Sequence, residues 1–253
     1  MDTDSLALCL KISQPKWIKK LSEGSAWFGK IDGYIKKAIE TNNDDQGDRY
    51  EGVFARLHKK SLDIDKYKVS LGDDLEIIED VDYCFLRRKS SRVQKAFCMY
   101  GIRLSDLTII DVYNPDSKVP KGKFRCNIDA KMYNGFLQDG GKAVDVAGFY
   151  CSAGHLHEAL EKALSAKGYR WKRDMIQYDI DLNKEFVIEP TDGYPELWHK
   201  RKDLSYQHES RIIIYDNNEI DGIELEYDQL KKNSGNWAMG ELYLEGEATL
   251  YRK

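Results

Sequence analysis

The feature that most constrains this chain is a succession of short segments rich in β-branched and aromatic residues and bounded by turn formers. Such segments predict strands, and they lie at residues 76–79, 83–86, 96–102, 107–113, 123–128, 144–151, 176–182, 185–188, 211–215, 223–227 and 241–251. They outnumber the predicted helices and do not alternate regularly with them, which argues against a doubly wound parallel sheet. We therefore predict an α+β fold with a mixed or antiparallel sheet and a few flanking helices.

Three segments carry the apolar spacing of amphipathic helices, at residues 13–23, 31–39 and 154–166. In the first, Ser13 can cap the helix and Pro15 takes a first-turn position. With 253 residues, the chain is close to the size of roughly 250 to 300 residues at which a single core stops growing. We predict one large domain over residues 1–253, and any internal boundary would fall near residues 114–122.

Composition and apolar run length exclude several classes of protein. Hydrophobic residues make up 42% of the chain, enough for a core. The longest uncharged apolar runs, at 146–151 and 212–215, are far shorter than the roughly 20 residues of a membrane-spanning helix. Asp2, Asp4 and Lys11 interrupt what would be a secretory signal. We expect a cytoplasmic protein that contacts no membrane, and we exclude a coiled coil and a disordered chain.

Charge and cysteine content predict no nucleic-acid partner and no metal. The chain has 39 basic and 43 acidic residues, whereas a nucleic-acid binder usually has a basic excess on one face. Its five cysteines are widely spaced and contain no C-x-x-C pair. His155 and His157 point about 200° apart on a helix, so they cannot share an ion there. We expect five buried thiols.

The segment 197–215 is the best candidate for chemistry, because a polar, aromatic-rich turn precedes a strong strand there. Gln207 and Glu209 would share one face at the entrance of this strand and could act together on one ligand. A simpler interpretation is that Glu209 forms an ion pair with Arg211 or Lys202. The loop at 41–48 is polar throughout, and we predict that it is exposed and mobile.

The runs at 206–214 and 97–100, together with the Gly-Asp-Arg-Tyr-Glu-Gly loop at 47–52, resemble a loose group of uncharacterised bacterial and phage proteins. In that group a G-D-x-[YF]-E-G loop and a Y-x-x-E-x-R-[IVL] strand recur. The resemblance covers residues 17–216 and implies no agreed activity. It suggests that this chain is encoded by a phage or a mobile element.

The Gln207-His208-Glu209 run also resembles the Q-x-E motif of mono-ADP-ribosyltransferases. This resemblance implies an enzyme that uses NAD, with Glu209 as the catalytic glutamate and Gln207 beside it. Arg56 or His58 would hold the NAD phosphates, and Ser152 would belong to the hydroxyl-bearing strand of that family. The run at 151–153 departs from the family's Ser-Thr-Ser pattern, which puts substrate positioning in doubt.

The competing interpretation is an interaction protein without chemistry or cofactor, and we favour it because standard catalytic motifs are missing. The chain has 16 tyrosines and five tryptophans, residue types that concentrate at interface hot spots. Trp198 and Tyr206 are the predicted anchors, because their segments are too polar for ordinary core strands; alternatively, both rings close the end of the sheet. We predict that the chain binds and blocks a host protein complex, such as a defence complex.

Overall fold

The computed structural model describes residues 5–44, 47–115, 121–131, 138–139, 142–143, 145–228, 230, 234–237 and 243–249. The helices are α1 Pro15–Ser22, α2 Ile31–Thr41, α3 Asp63–Leu71, α4 Lys89–Arg92 and α5 Ala153–Ala166. The strands are β1 Leu6–Ser13, β2 Ser25–Lys30, β3 Val53–His58, β4 Leu75–Glu79, β5 Tyr83–Arg88, β6 Lys95–Arg103, β7 Thr108–Tyr113, β8 Lys121–Asn127, β9 Gln138–Asp139, β10 Lys142–Ala143, β11 Ala147–Ser152, β12 Trp171–Met175, β13 Gln177–Ile180, β14 Phe186–Val187, β15 His199–Arg201, β16 Glu209–Ile214, β17 Gly222–Glu226, β18 Ser234–Trp237 and β19 Tyr243–Thr249. The predicted α+β class is confirmed.

An eight-stranded sheet forms the centre of the fold. Six strands follow one another in the order β12-β16-β6-β1-β11-β18, and β2 and β17 extend from β6 as a side branch. All pairings within this sheet are antiparallel. Side chains alternate between its two faces, so each strand contributes to two separate cores.

One face of the central sheet packs against α1 and α5. Ile18 and Leu21 of α1 and Leu156, Leu160 and Leu164 of α5 are buried against it. This regular apolar spacing is why the sequence predicts α5 closely. The opposite face is covered by α2 and by the short segment Pro195–Trp198. The buried side chains in this core are Ile31, Ile35, Ala96, Ile176, Leu197, Trp198 and Ile213.

Smaller sheets flank the central one. One has the order β14-β3-β5-β4 and packs its apolar side chains against α3. Another has the order β19-β8-β7. The pair β13-β15 is the parallel exception among the described sheets. Among the described residues, no helix is both long and apolar enough to cross a membrane.

The exposed-loop prediction for 41–48 is wrong at its C-terminal end. Asp48 is 1% exposed, because its carboxylate lies 3.4 Å from Nε of Arg201 and accepts the backbone N–H of Tyr50 at 2.9 Å. Residues 45–46 of this loop lie outside the described residues. The same holds for 116–120, so the boundary suggested near 114–122 stays a prediction.

Candidate functional site

The central sheet forks beside β6. On one edge, β16 pairs with β6 from Lys95 to Tyr100. On the other edge, β2 pairs with β6 at Lys95 and Ala96, whereas β1 pairs with it only from Tyr100 onward. Within the described residues, 97–99 therefore lack a partner strand on that edge. Lys11 enters this gap and donates from Nζ to the backbone oxygen of Cys98 at 2.6 Å.

A group of four charged side chains, here called the ionic cluster, lies beside the fork: Glu51, Lys200, Glu209 and Arg211. Nε of Arg211 donates to Oε1 of Glu209 at 2.6 Å, and its Nη1 donates to Oε1 of Glu51 at 2.6 Å. Nζ of Lys200 donates to Oε2 of Glu209 at 2.7 Å. All four residues are buried. Charges removed from water in this way need such close partners.

The ionic cluster joins the two motifs singled out in the sequence, because Glu51 belongs to the loop at 47–52 and Arg211 to the 206–214 run. Two glycines let the loop reach it. Gly52 has a φ of +71°, and a Cβ on Gly47 would lie 2.2 Å from the backbone oxygen of Tyr34. Only glycine combines that freedom with such a close approach.

Burial and neighbouring charges set the protonation of this region. Burial alone would raise the pKa of Glu209, but Arg211 and Lys200 hold that pKa well below its usual range. Burial and the charge of Glu209 raise the pKa of the Cys98 thiol to about 12. At neutral pH Glu209 is therefore ionised, whereas Cys98 is a neutral thiol and a poor nucleophile.

Asp48 shows the opposite shift from Glu209. Burial and the nearby carboxylate of Glu51 raise the pKa of Asp48 to about 6, against the pull of Lys200 and Arg201. The difference between the two carboxyls follows from their partners. Glu209 has two cations at hydrogen-bond distance, whereas Arg201 lies 3.4 Å from Asp48.

A cavity of about 140 Å³, here called the fork cavity, opens between Lys11 and the ionic cluster. Its walls combine apolar side chains and tyrosines with charges. The lining residues are Leu10, Lys11, Ile12, Tyr34, Gly47, Glu51, Cys98, Met99, Tyr100, Lys200, Tyr206, Gln207, Glu209 and Arg211.

A larger depression, here called the outer groove, begins on the other side of Lys11 and has a volume of about 450 Å³. Trp17 of α1 and Trp27 of β2 line it, and they are 38% and 43% exposed. Their rings lie 6.4 Å apart at an interplanar angle of 29°. Nζ of Lys16 and of Lys20 lie 5.1 and 5.4 Å from the ring centre of Trp17. The groove thus presents a paired aromatic surface with adjacent cations.

The structure brings together only two of the residues named for the transferase interpretation. Gln207 and Glu209 both bind Nζ of Lys200, at 3.1 and 2.7 Å. Arg56 and His58 lie on β3 in a different sheet, where the guanidinium of Arg56 packs 3.6 Å from the ring centre of Tyr83. Ser152 ends β11 opposite Leu8. None of these last three lines the fork cavity.

The structure also places the predicted partner anchors and shows what the sequence reasoning missed. Trp198 is 4% exposed and lies in the core under α2, and Tyr206 is half-buried beside the fork cavity. This placement removes the exposure on which the choice of Trp198 depended. Neither Trp17 nor Trp27 is among the predicted anchors. A signal for Trp17 was available in the sequence, because a tryptophan flanked by lysines in a short helix is unusual for a core position and favours a surface one.

A buried Cys–His contact away from the fork is chemically inert. Sγ of Cys9 lies 3.7 Å from Nε2 of His157, but burial raises the pKa of Cys9 to about 12 and lowers that of His157 to about 4. Both groups are therefore neutral at pH 7. All five cysteines are free thiols. In the described part of the chain, no group of three histidine, cysteine or acidic side chains is arranged to hold a metal ion.

Comparison of the chain with protein-family models, with curated proteins and with solved structures found no match in any of the three. Interpretation of the fork cavity and the outer groove therefore depends on their geometry and charge.

Proposed function

We propose that this chain is a binding protein that holds a partner protein at the outer groove and performs no chemistry of its own. The observation that carries the proposal is the pair of exposed, stacked tryptophans, Trp17 and Trp27, that line a groove of about 450 Å³. Tryptophan dominates interface hot spots because a large flat ring leaves water at a small cost in side-chain entropy. Adjacent exposed rings of this size are uncommon on a surface that contacts only solvent.

The charges around the outer groove favour a partner with an acidic surface. Four lysines line the groove, Lys11, Lys20, Lys30 and Lys37, against two acidic residues, Asp221 and Glu224. Two of these lysines already have partners in the chain, since Lys20 pairs with Glu224 at 2.7 Å and Lys30 with Glu219 at 2.5 Å. Complementary charges orient partners and raise the rate of association. We expect an apolar or aromatic partner side chain on the tryptophans, with partner carboxylates near the lysines. Because the sequence suggests a phage or mobile-element protein that binds a host complex, the partner should be sought in a lysate of the host cell.

The contacts of Glu209 and the volume of the fork cavity weigh against the NAD-dependent alternative. Both carboxylate oxygens of Glu209 already accept hydrogen bonds from cations, at 2.6 and 2.7 Å. The fork cavity beside it, of about 140 Å³, is smaller than the roughly 300 to 1,000 Å³ typical of pockets for larger ligands. A dinucleotide bound there would have to displace the ionic cluster.

A capture experiment tests the proposal. Tagged protein is incubated with lysate of the host, washed at high salt and compared with the double variant Trp17→Ala/Trp27→Ala. We expect one host complex to be retained by the unmodified chain and lost by the double variant, because the aromatic contact area is gone. Leu62→Ala is the matched control, since Leu62 is equally apolar, 84% exposed and remote from the groove lining.

Two outcomes would overturn the proposal. One is equal retention by the double variant and the unmodified chain, which would show that the tryptophans do not bind the partner. The other is thermal stabilisation of the purified chain by NAD that Glu209→Gln abolishes, which would favour the transferase alternative. Circular dichroism of each variant shows whether a loss of binding reflects a loss of fold.

A further inference from the structure

We propose that the fork cavity is a binding site for a small organic carboxylate, with the ammonium group of Lys11 as the cation that receives it. The proposal rests on three properties of the cavity: its charge balance, its size and the character of its walls. It does not depend on partner binding at the outer groove.

Among the described residues, the charge balance of the lining leaves one cation without a carboxylate within 4.0 Å. Among the described residues, the cavity lining holds three cations, Lys11, Lys200 and Arg211, and two carboxylates, Glu51 and Glu209. Glu51 and Glu209 both bind Arg211, and Glu209 also binds Lys200. Within the described part of the chain, no carboxylate lies within 4.0 Å of Nζ of Lys11, whose hydrogen bond goes to the backbone oxygen of Cys98. A ligand with one negative charge would balance the lining.

The ammonium group of Lys11 retains the capacity to bind such a ligand. An ammonium has three donors, and one of them is used on Cys98 at 2.6 Å. Lys11 is half-buried beside Phe97, with Nζ 5.5 Å from the ring centre. A charge-assisted hydrogen bond formed there is stronger than one formed in water, because the surroundings screen it less.

Size and wall chemistry select an organic acid over an inorganic anion. A cavity of about 150 Å³ accepts a benzene-sized molecule, and the fork cavity has about 140 Å³. Leu10, Ile12 and Met99 supply apolar wall, and three tyrosines also line the cavity. Inorganic phosphate would lose its hydration to this wall without gaining apolar contact. A compact ring or branched chain with one carboxylate fits both the apolar wall and Lys11.

Benzoate is the probe that tests the proposal, and benzamide is its neutral counterpart of the same shape. Titration calorimetry on the unmodified chain should show benzoate binding at least tenfold tighter than benzamide or inorganic phosphate. Lys11→Met should weaken benzoate binding at least tenfold, because it keeps the length of the side chain and removes the charge. Lys60→Met, at an exposed lysine outside the cavity lining, should leave binding unchanged.

The position of the ligand is tested separately with methyl-labelled methionine. Addition of benzoate should shift the methyl resonance of Met99, which lines the cavity and is assigned with Met99→Leu. The proposal is overturned if benzoate does not bind at millimolar concentration, if benzamide binds equally well, or if Met99 does not respond. Should Lys11→Met fail to fold, the comparison of benzoate with benzamide on the unmodified chain still decides the outcome.

Discussion

The ionic cluster and the outer groove lie on either side of Lys11, and they differ in which side chains are kept from water. In the cluster, charged side chains are removed from water and depend on one another, as Arg211 does on Glu51 and Glu209. In the groove, large apolar rings remain in water, since Trp17 and Trp27 are about 40% exposed. Burial of the first kind costs free energy that only close partners offset. The exposed apolar area of the two rings is available for contact with another molecule.

This contrast separates two reasons why residues stand out in a sequence. The cluster residues stand out as motifs, because each buried charge requires a particular partner elsewhere in the chain. The groove residues form no motif, because a tryptophan that is about 40% exposed needs no charged partner elsewhere in the chain. We infer that the motifs of this chain report chiefly how the fork is built, while the proposed binding surface lies beside them.

The largest expected effect comes from breaking the ionic cluster. Arg211→Met would leave Glu51 and Glu209 buried with Lys200 as their remaining cluster cation, at 3.6 and 2.7 Å. We expect the free energy of unfolding, measured by urea denaturation, to fall by about 3 to 5 kcal/mol. The control is Lys162→Met, at an exposed pair with Asp228 of 3.0 Å, where the expected change is below about 1 kcal/mol. Equal effects at both sites would show that the cluster is not effectively buried.

A matched pair of tryptophan variants sharpens the comparison of interior and surface. Trp198→Ala removes a ring that is 4% exposed, so we expect a loss of about 3 to 5 kcal/mol in the free energy of unfolding. Trp27→Ala removes a ring that is 43% exposed, and the expected loss is about 1 kcal/mol. Thermal and urea denaturation of the two variants check this. A large loss for Trp27→Ala would mean that its ring supports the fold and is not kept for a partner.

Local patterns were sufficient to predict much of the fold. The strands β4 to β7 and the helix α5 follow from apolar spacing within each segment, which needs no knowledge of distant residues. The segment predicted as one strand at 176–182 contains β13, while β12 comes just before it and was missed. The backbone N–H of Ile176, between these strands, donates to the oxygen of Glu209 at 2.9 Å. That contact between distant segments could not be predicted from the spacing of apolar residues within either segment.

The candidate site was predictable only in part, for the same reason. The pairing of Glu209 with Arg211 was one of the sequence interpretations, because two residues on one strand face lie close together. The fork itself depends on which residues of β6 pair with β1 and which pair with β2. That register is set among three strands, and β6 is distant in sequence from the other two. Burial of Asp48 depends on Arg201, which is distant in sequence. Neither feature has a local signature.

The pH dependence of stability tests the raised pKa of Asp48. Its pKa of about 6 exceeds the value of about 3.9 expected for an unfolded chain. The neutral carboxyl therefore favours the folded state at low pH, and this contribution is lost as the pH rises through 6. Between pH 4.5 and 7.5, we expect the stability of the unmodified chain to fall by about 2 kcal/mol relative to Asp48→Asn, which does not titrate. Urea denaturation at both pH values measures this; a constant difference would contradict the assignment.

The smallest expected changes in the free energy of unfolding come from substitutions of two glycines, one near the ionic cluster and one near the outer groove. Gly52, in the loop at 47–52, has a φ of +71°, and an added Cβ would lie 3.0 Å from Oγ of Ser91. Gly52→Ala should therefore lower the free energy of unfolding by about 1 to 2 kcal/mol. Gly33, in α2 beside the outer groove, would place a Cβ in open space, so Gly33→Ala should raise it by about 0.5 to 1 kcal/mol. Thermal denaturation distinguishes the two signs, and destabilisation by Gly33→Ala would show that α2 is packed more tightly along the groove than its geometry indicates.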